Sequence, residues 1–506
     1  MKQKSIKLNF LMNSLLSISS IIFPIITFPY ISRILTNVGT GKIATATSVI
    51  AYFNIFAQLG IPTYGVRACA KVRDDKEKLT RTAHELLMIN LIMSAFMYVL
   101  LFFAILFVPI LRDDKILYII TSATILLTSI GMEWLYKALE QYTYITIRSV
   151  IFKMIAIGLM FLLVHEQKDY VIYGGIAIFA SSASYILNFI NLRKYIDLKP
   201  VGGYDLKRHL KPVGIFLAMS CATTIYTNLD TVMLRVMTDE GEVGLYNAAV
   251  KIKTVLLSVV TSLGAVLLPR VSYYIENKMF DEFKNVSAKA INFVLVFAGG
   301  ATIFFVFMAN QCIMLISGEG FAGSIVPMQI IVPTILIIGL SNIFGIQMLV
   351  PLGKEKALLG AEIGGAIIDM VLNAILIPFF RSAGASIGTL VAEIFVTTYL
   401  FIYLRNELKG VLKRIKLVKI LFSLAVATGI MIGTMYLSGR YILPGLYDSI
   451  FYRFPNIDYR VEIKSFIELF ISFVMFSAGY LLMLIVNRES LTLEILGSIK
   501  AKLKIK

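Results

Sequence analysis

Ionisable residues interrupt the long apolar runs of this chain at Glu133, Lys153, Asp230, Arg235, Lys251, Lys253, Glu362, Asp369 and Glu393. A charge inside a run long enough to cross a bilayer is costly, so it faces protein or a water-filled cavity and marks a substrate or ion path. Cationic side chains there suit an anion, and carboxylates suit a coupling proton or sodium ion. Lys251, Lys253, Lys153, Arg235 and Arg33 are therefore the candidate substrate-binding groups, and Asp230, Glu133 and Asp369 the candidate ion-coupling groups. Lys251 and Lys253 are two positions apart, so on a helix they diverge by roughly 200° and cannot both face one cavity squarely. If that helix enters the membrane near Val243, Lys251 lies about 12 Å deep and Lys253 about 15 Å. Pairing of Lys251 with Asp230, and of Lys153 with Glu133, would neutralise these charges when no substrate is bound. Asp230 thus has two readings, coupling carboxylate or neutralising partner. Arg235 and Glu133 fall near helix ends, where a charged tip reaches the interface, and Glu362 near a solvated end.

No enzyme's constellation accompanies these groups. The chain has no G-x-S-x-G, H-E-x-x-H or nucleotide-binding G-x-x-x-x-G-K-[ST] pattern. His84, His165 and His209 are too scattered for a metal site, and Cys69, Cys221 and Cys312 read as buried thiols. No cofactor is expected.

The stretch from Asn228 to Tyr274 places several of these charges on one helical hairpin, with Thr238–Gly241 as its turn and Pro269–Arg270 closing its second helix. An earlier stretch matches it: Arg33-Ile-Leu-Thr-Asn-Val-Gly39 against Arg235-Val-Met-Thr-Asp-Glu-Gly241. Each is followed about 35 residues later by an arginine, Arg67 or Arg270, a long-period self-similarity. The two hairpins fall at helices 1–2 and 7–8, an even offset, which predicts a parallel repeat about an axis along the membrane normal.

At 506 residues with 58% hydrophobic and 16% charged content, the chain reads as an all-α polytopic membrane protein. Runs of about 20 apolar residues predict about 14 spans, from 9–31 and 43–60 through 418–437 and 465–486. The basic Met1–Phe10 precedes a long apolar run, so a first transmembrane helix is expected rather than a cleaved signal. Two parallel six-helix bundles around a central cavity, with two added helices, divide the chain at 1–195, 205–410 and 411–506. The net charge of +17 points to no nucleic acid, because the cations sit in alternate loops. Lys2, Lys4 and Lys7, the segments Arg67–Arg81, Arg193–Lys211, Arg270–Lys284 and Arg405–Lys416, and the tail Lys500–Lys506 all fall on one side. That side is cytoplasmic by the positive-inside rule, with both termini there; Ser438–Lys464 is the longest outer connection.

Three stretches resemble the polysaccharide repeat-unit flippases (Wzx-type) of the multidrug/oligosaccharidyl-lipid/polysaccharide exporter superfamily. They are Phe28–Asp75, Gly131–Lys153 (GMEWLYKALEQYTYITIRSVIFK) and Gly339–Lys356 together with the hairpin Asn228–Tyr274. Ala138 stands where that family usually has glycine. The resemblance implies a flippase in the bacterial plasma membrane. It would move undecaprenyl-pyrophosphate-linked oligosaccharide units from inner to outer leaflet by alternating access, for capsule, O-antigen or exopolysaccharide assembly. It also implies a basic residue near Lys251 on the head group, a proton or sodium ion as coupling partner, and a glycan polymerase and chain-length regulator as protein partners. The alternatives are a multidrug exporter of the same superfamily and a membrane-embedded glycan polymerase or ligase.

Overall fold

The computed structural model describes residues 6–453 and 459–503. The basic residues Lys2, Lys4, Lys504 and Lys506 lie outside the described residues, as does Pro455. By its contacts the chain forms two compact units, Met1–Gly244 and Leu245–Lys506.

The first unit holds α1 (Ile6–Gln58), α2 (Ile61–Ala70), α3 (Lys76–Phe107), α4 (Pro109–Asp113), α5 (Lys115–Gly131), α6 (Glu133–Ala138), α7 (Tyr142–Leu163), α8 (Tyr170–Ile178), α9 (Tyr185–Asn191) and α10 (Lys207–Met237). At 53 residues, α1 would be about 80 Å long if straight, far more than a bilayer core. It breaks at Thr36 (φ 60, ψ −176), and side-chain register shows that the chain reverses there. Before the break, α1 runs parallel to α7: Thr146 donates to the Met12 carbonyl, Lys153 to Ser19, and Tyr30 to the Val164 carbonyl, each at a separation of 134 residues. Beyond it, α1 runs parallel to α5, with Lys42 on Asp114 and Gln58 on Ser129. Asn188 of α9 donates to the Gly131 carbonyl ending α5, while Gly174 of α8 packs on Leu117 near its start, so α5 parallels α8 and α9. Arg148 meets Ser184 and Tyr144 meets the Leu187 carbonyl, so α7 is antiparallel to them.

These alternations gather the connections at two ends of the unit. One end collects Thr36–Gly41, Asp114, Gln167–Tyr170 and Thr238–Gly241. There Gln167 donates to Thr36, Lys42 and Tyr170 both reach Asp114, and the two matched turns pack on each other. A β-carbon on Gly41 would lie 1.7 Å from the Glu240 carbonyl oxygen, and one on Gly244 would lie 1.9 Å from that of Asn37. The other end collects the basic loops, with ion pairs Arg73–Glu140 (2.8 Å) and Lys76–Asp197 (2.6 Å).

The second unit comprises α11 (Glu240–Glu276), which carries the unit boundary, α12 (Phe280–Phe307), α13 (Ala309–Ile316), α14 (Ile325–Ile331), α15 (Thr334–Asn342), α16 (Glu355–Tyr403), α17 (Arg405–Leu412), α18 (Leu417–Leu437), α19 (Leu443–Arg453), α20 (Arg460–Val486) and α21 (Ser490–Leu503). Like α1, α16 is two helices across one break, at Arg381 (φ 50, ψ −127). Its halves lie antiparallel: Gly384 packs on the Leu376 backbone, Gly388 on Asn373, and Gly365 on Val396.

Ten helices among the described residues are long and apolar enough to cross a membrane, and twelve if two bent pairs are counted. Dividing α1 and α16 at their breaks reaches the expected number of about 14. Outward-facing Phe102, Phe107, Phe379 and Val418, beside buried Asn90, Asn188, Asp369 and Asn373, give the inside-out polarity of a protein solvated by lipid. One expectation needs correction. Pro269–Arg270 does not end its helix; α11 continues to Glu276, because a proline forfeits only its own N–H and the ladder resumes. The connection Ser438–Lys464 contains the π-turn Ser438–Ile442 and α19.

The last helix is tied down by one carboxylate. Glu489 accepts from the backbone N–H groups of Leu491 (2.9 Å) and Thr492 (2.7 Å) and from Asn292 on α12. Burial alone would raise the Glu489 carboxyl, but these hydrogen bonds outweigh it and hold it below the usual carboxylate range. A depressed carboxylate stabilises the fold above its unfolded value and loses that contribution as pH falls through its folded value. Glu489→Ala is therefore expected to speed hydrogen exchange across α21 about fivefold, a loss of about 1 kcal/mol. Protection in the wild type should also fall on acidification, which the variant should not show once intrinsic exchange rates are corrected.

Candidate functional site

A cavity of about 320 Å³ lies inside the first unit, lined by Leu16, Ser20, Phe23, Glu133, Ser149, Lys153, Ala177, Ala180, Ser181, Ser184 and Tyr185. Lys153 is its cation. It sits near the middle of α7, about 15 Å from either end, and its ammonium donates to Ser19 (3.0 Å) and Ser20 (2.8 Å) of α1. The constant parallel register of α1 and α7 brings these serines to the lysine.

Glu133 reaches the cavity through a sharp turn. Helix α5 ends at Gly131, Met132 takes a left-handed conformation (φ 41), and α6 opens on Glu133. Gly131 is needed at this joint because a β-carbon there would lie 2.5 Å from that of Tyr185. Glu133 pairs with Lys137 (2.8 Å) and with the buried Arg148 (3.0 Å). Arg148 also donates to Ser184 (2.6 Å) and stands 5.0 Å over the Tyr185 ring. A π-helical turn, Phe179–Ala183, separates α8 from α9 and carries Ala180 and Ser181 into the lining. Clustered hydroxyls, one carboxylate and a mid-height ammonium can hold a hydroxyl-rich, anionic ligand by many individually modest hydrogen bonds.

Of the residues singled out by sequence, Lys153 and Glu133 are brought together in this cavity. They do not form the expected ion pair, because Lys137 and Arg148 lie closer to Glu133 and Ser19 and Ser20 take Lys153. Arg33 donates to the Pro29 carbonyl within its own helix (2.6 Å), and Arg235 pairs with Glu240 across the Thr238 break. Asp230 is buried on α10, within electrostatic reach of Tyr52 on α1. In the second unit Lys251 and Lys253 are half-buried on α11 and flank the buried Ile252. Asp369 and Glu393 are buried on the two halves of α16. Sequence reasoning did not single out Arg148, although it lies within the stretch Gly131–Lys153. It also passed over Glu85, Arg208 and His209, which form a second polar cluster.

The fold and this charged, membrane-embedded cavity define a polytopic helical membrane transporter. Residues 6–275 match the family described as polysaccharide biosynthesis protein, and the chain belongs to that family. It is 23% identical over 397 residues to the "Putative O-antigen transporter" of Escherichia coli (strain K12), covering 77% of this chain and 94% of that protein. Among solved structures it is similar to "Lipid II flippase MurJ, inward closed conformation", with a TM-score of 0.66, 16% identity and coverage of 93% of this chain and 99% of the other. It also resembles an inward-facing multidrug resistance MATE family transporter of the MOP superfamily, with a TM-score of 0.55, 14% identity and coverage of 77% and 99%. These structural likenesses establish the fold.

Proposed function

We propose that this chain is a flippase for lipid-linked oligosaccharides, working without enzymatic chemistry in a bacterial plasma membrane. Its family, the O-antigen transporter among its relatives and the lipid II flippase fold all support this reading. The observation that carries it is the cavity around Lys153: hydroxyl-rich and cationic at the middle of the membrane, where a sugar head group would otherwise meet hydrocarbon. An undecaprenyl pyrophosphate carrier supplies the anion, which Lys153 and the half-buried Lys251 and Lys253 suit. The alternate basic loops support a cytoplasmic position for both termini, and we read transport as running from the inner to the outer leaflet. Asp230 and Asp369 are our carboxylates for coupling to a proton or sodium ion.

In a strain lacking this gene, the lipid-linked glycan should accumulate on the inner leaflet. Complementation is the test, with export normalised to inserted protein. Lys153→Ala and Lys251→Ala are each expected to lose most export, Lys251→Arg to keep much of it, and Lys253→Ala to be milder because it points elsewhere on the helix. Wild-type export by both Lys153→Ala and Lys251→Ala, or no inner-leaflet accumulation in the null strain, would overturn the reading.

A further inference from the structure

A second buried polar cluster fastens α10 to the first unit, at the end that carries the basic loops. His209, on the first turn of α10, stands between Tyr64 of α2 and Glu85 of α3. Its Nδ1 lies 2.9 Å from the Tyr64 hydroxyl and its Nε2 lies 2.8 Å from Glu85 Oε2. The His209 side chain is 3% exposed and that of Glu85 1%. Arg208 donates to the same carboxylate through Nε at 3.1 Å and also through its terminal nitrogen, and the Asp205 backbone N–H takes the other oxygen at 2.7 Å. Next to it, His84 of α3 meets Tyr204 at 3.0 Å, and Arg81 lies against Gly203. The connection into α10 is thus held to α3 along its length.

The geometry fixes how His209 is protonated. A bare Nε2 facing a carboxylate oxygen at 2.8 Å would set two lone pairs against each other, so Nε2 carries a hydrogen and donates to Glu85. In the neutral ring Nδ1 then accepts from the Tyr64 hydroxyl. A proton can be added only at Nδ1, which forces Tyr64 to turn from donor to acceptor. It also sets an imidazolium beside Arg208, whose Nε is 3.3 Å from His209 Nε2, on a carboxylate already balanced by that guanidinium. The charged groups facing His209 are Glu85 and Arg208, with the Tyr64 phenol and, behind it, the Cys69 thiol. Neutral His209 satisfies its bonds to Glu85 and Tyr64 and leaves Arg208 to Glu85; protonated His209 adds a buried positive charge and displaces the Tyr64 bond.

We propose that His209 is a proton-binding site, and that taking up a proton releases the first turns of α10 from α2 and α3. Unperturbed histidine titrates between about pH 5 and 8, and that is the range in which the release is sought. The inference stands apart from the flippase assignment, since it needs no substrate.

The chain carries its own reporter. Trp134, the single tryptophan, is buried in the same core cluster as Ile61, Leu86 and Val213, and its ring packs on Gly65, next to Tyr64. Trp134 emission of the purified full chain, titrated in detergent, is expected to show one sigmoidal transition in the histidine range. His209→Gln, whose amide can donate to Glu85 and accept from Tyr64 without titrating, should hold the neutral-pH emission and lose the transition. Tyr64→Phe frees Nδ1 for the proton and should shift the transition to higher pH. His84→Gln and His165→Gln should retain it. No transition in the wild type, a transition surviving in His209→Gln, or loss of it in His84→Gln instead would overturn the proposal.

Discussion

Replacing Glu133 with alanine is expected to cost the protein more stability than replacing its partner Arg148 with methionine. The asymmetry comes from burial. The Arg148 side chain is 3% exposed and Glu133 is the carboxylate on it, whereas Glu133 is 22% exposed and keeps Lys137 when Arg148 is gone. Leaving a buried cation without its counterion costs about 3–5 kcal/mol. Leaving Glu133 with a half-exposed lysine costs about 1–3 kcal/mol, mainly as lost hydrogen bonds to the glutamate and Ser184. Removing both charges also removes the uncompensated one, so Glu133→Ala with Arg148→Met should be more stable than Glu133→Ala alone. Calorimetry of the four proteins in one detergent measures this. A larger loss for Arg148→Met, or losses that simply add, would show that the pair is not coupled as the geometry requires. The result also bears on the carboxylate's role. A glutamate engaged by two cations is suited to holding α6 on α7, and the cycle weighs that against ion coupling.

The spans and the charges at their centres were legible in the sequence, because long apolar runs and isolated ionisable residues are strong signals. Lys153 and Glu133 were singled out as ionisable residues interrupting apolar runs. The residues that were missed share one cause, the position of helix starts. The sequence opened spans at 84, 148 and 212, which set Glu85 and Arg148 at span mouths and left His209 in a loop. The helices begin earlier, at Lys76, Tyr142 and Lys207. Those additional turns keep Lys76, Glu77, Lys78, Lys207 and Arg208 outward and turn their other face onto neighbouring elements. Glu85, Arg148 and His209 are buried as a result. The breaks at Thr36 and Arg381 were placed by the hydrophobic pattern, although neither residue is a glycine or proline. Thr36 adopts its positive φ at a cost of about 1–2 kcal/mol, with Gln167 donating to its hydroxyl. The matched turn sequences Arg33–Gly39 and Arg235–Gly241 are a repeat visible in one dimension. Their contact with each other is a product of three-dimensional packing.

That contact gives the second large effect, because Gly41→Ala is expected to prevent it. The β-carbon of an alanine would lie 1.7 Å from the Glu240 carbonyl oxygen and 2.9 Å from the Gly244 backbone nitrogen. These are backbone atoms, which cannot turn aside as a side-chain tip can, so the two segments must separate. Overpacking in a fitted contact costs about 1–3 kcal/mol or more, enough to reduce the closed arrangement about tenfold. Gly244→Ala should do the same from the other side, at 1.9 Å from the Asn37 carbonyl oxygen. Gly158→Ala is the control, since nothing lies within 4 Å of its β-carbon. With Cys69, Cys221 and Cys312 replaced, the pair Asn37→Cys and Gly241→Cys reports the contact by disulfide formation, because the Asn37 side chain lies 3.1 Å from a β-carbon on Gly241. Cross-linking should be efficient with both glycines present, fall about tenfold with Gly41→Ala or Gly244→Ala, and be unchanged with Gly158→Ala. Under the flippase reading, export should fall with the cross-link while insertion is retained. Full cross-linking in Gly41→Ala would mean that the matched turns do not approach at these glycines.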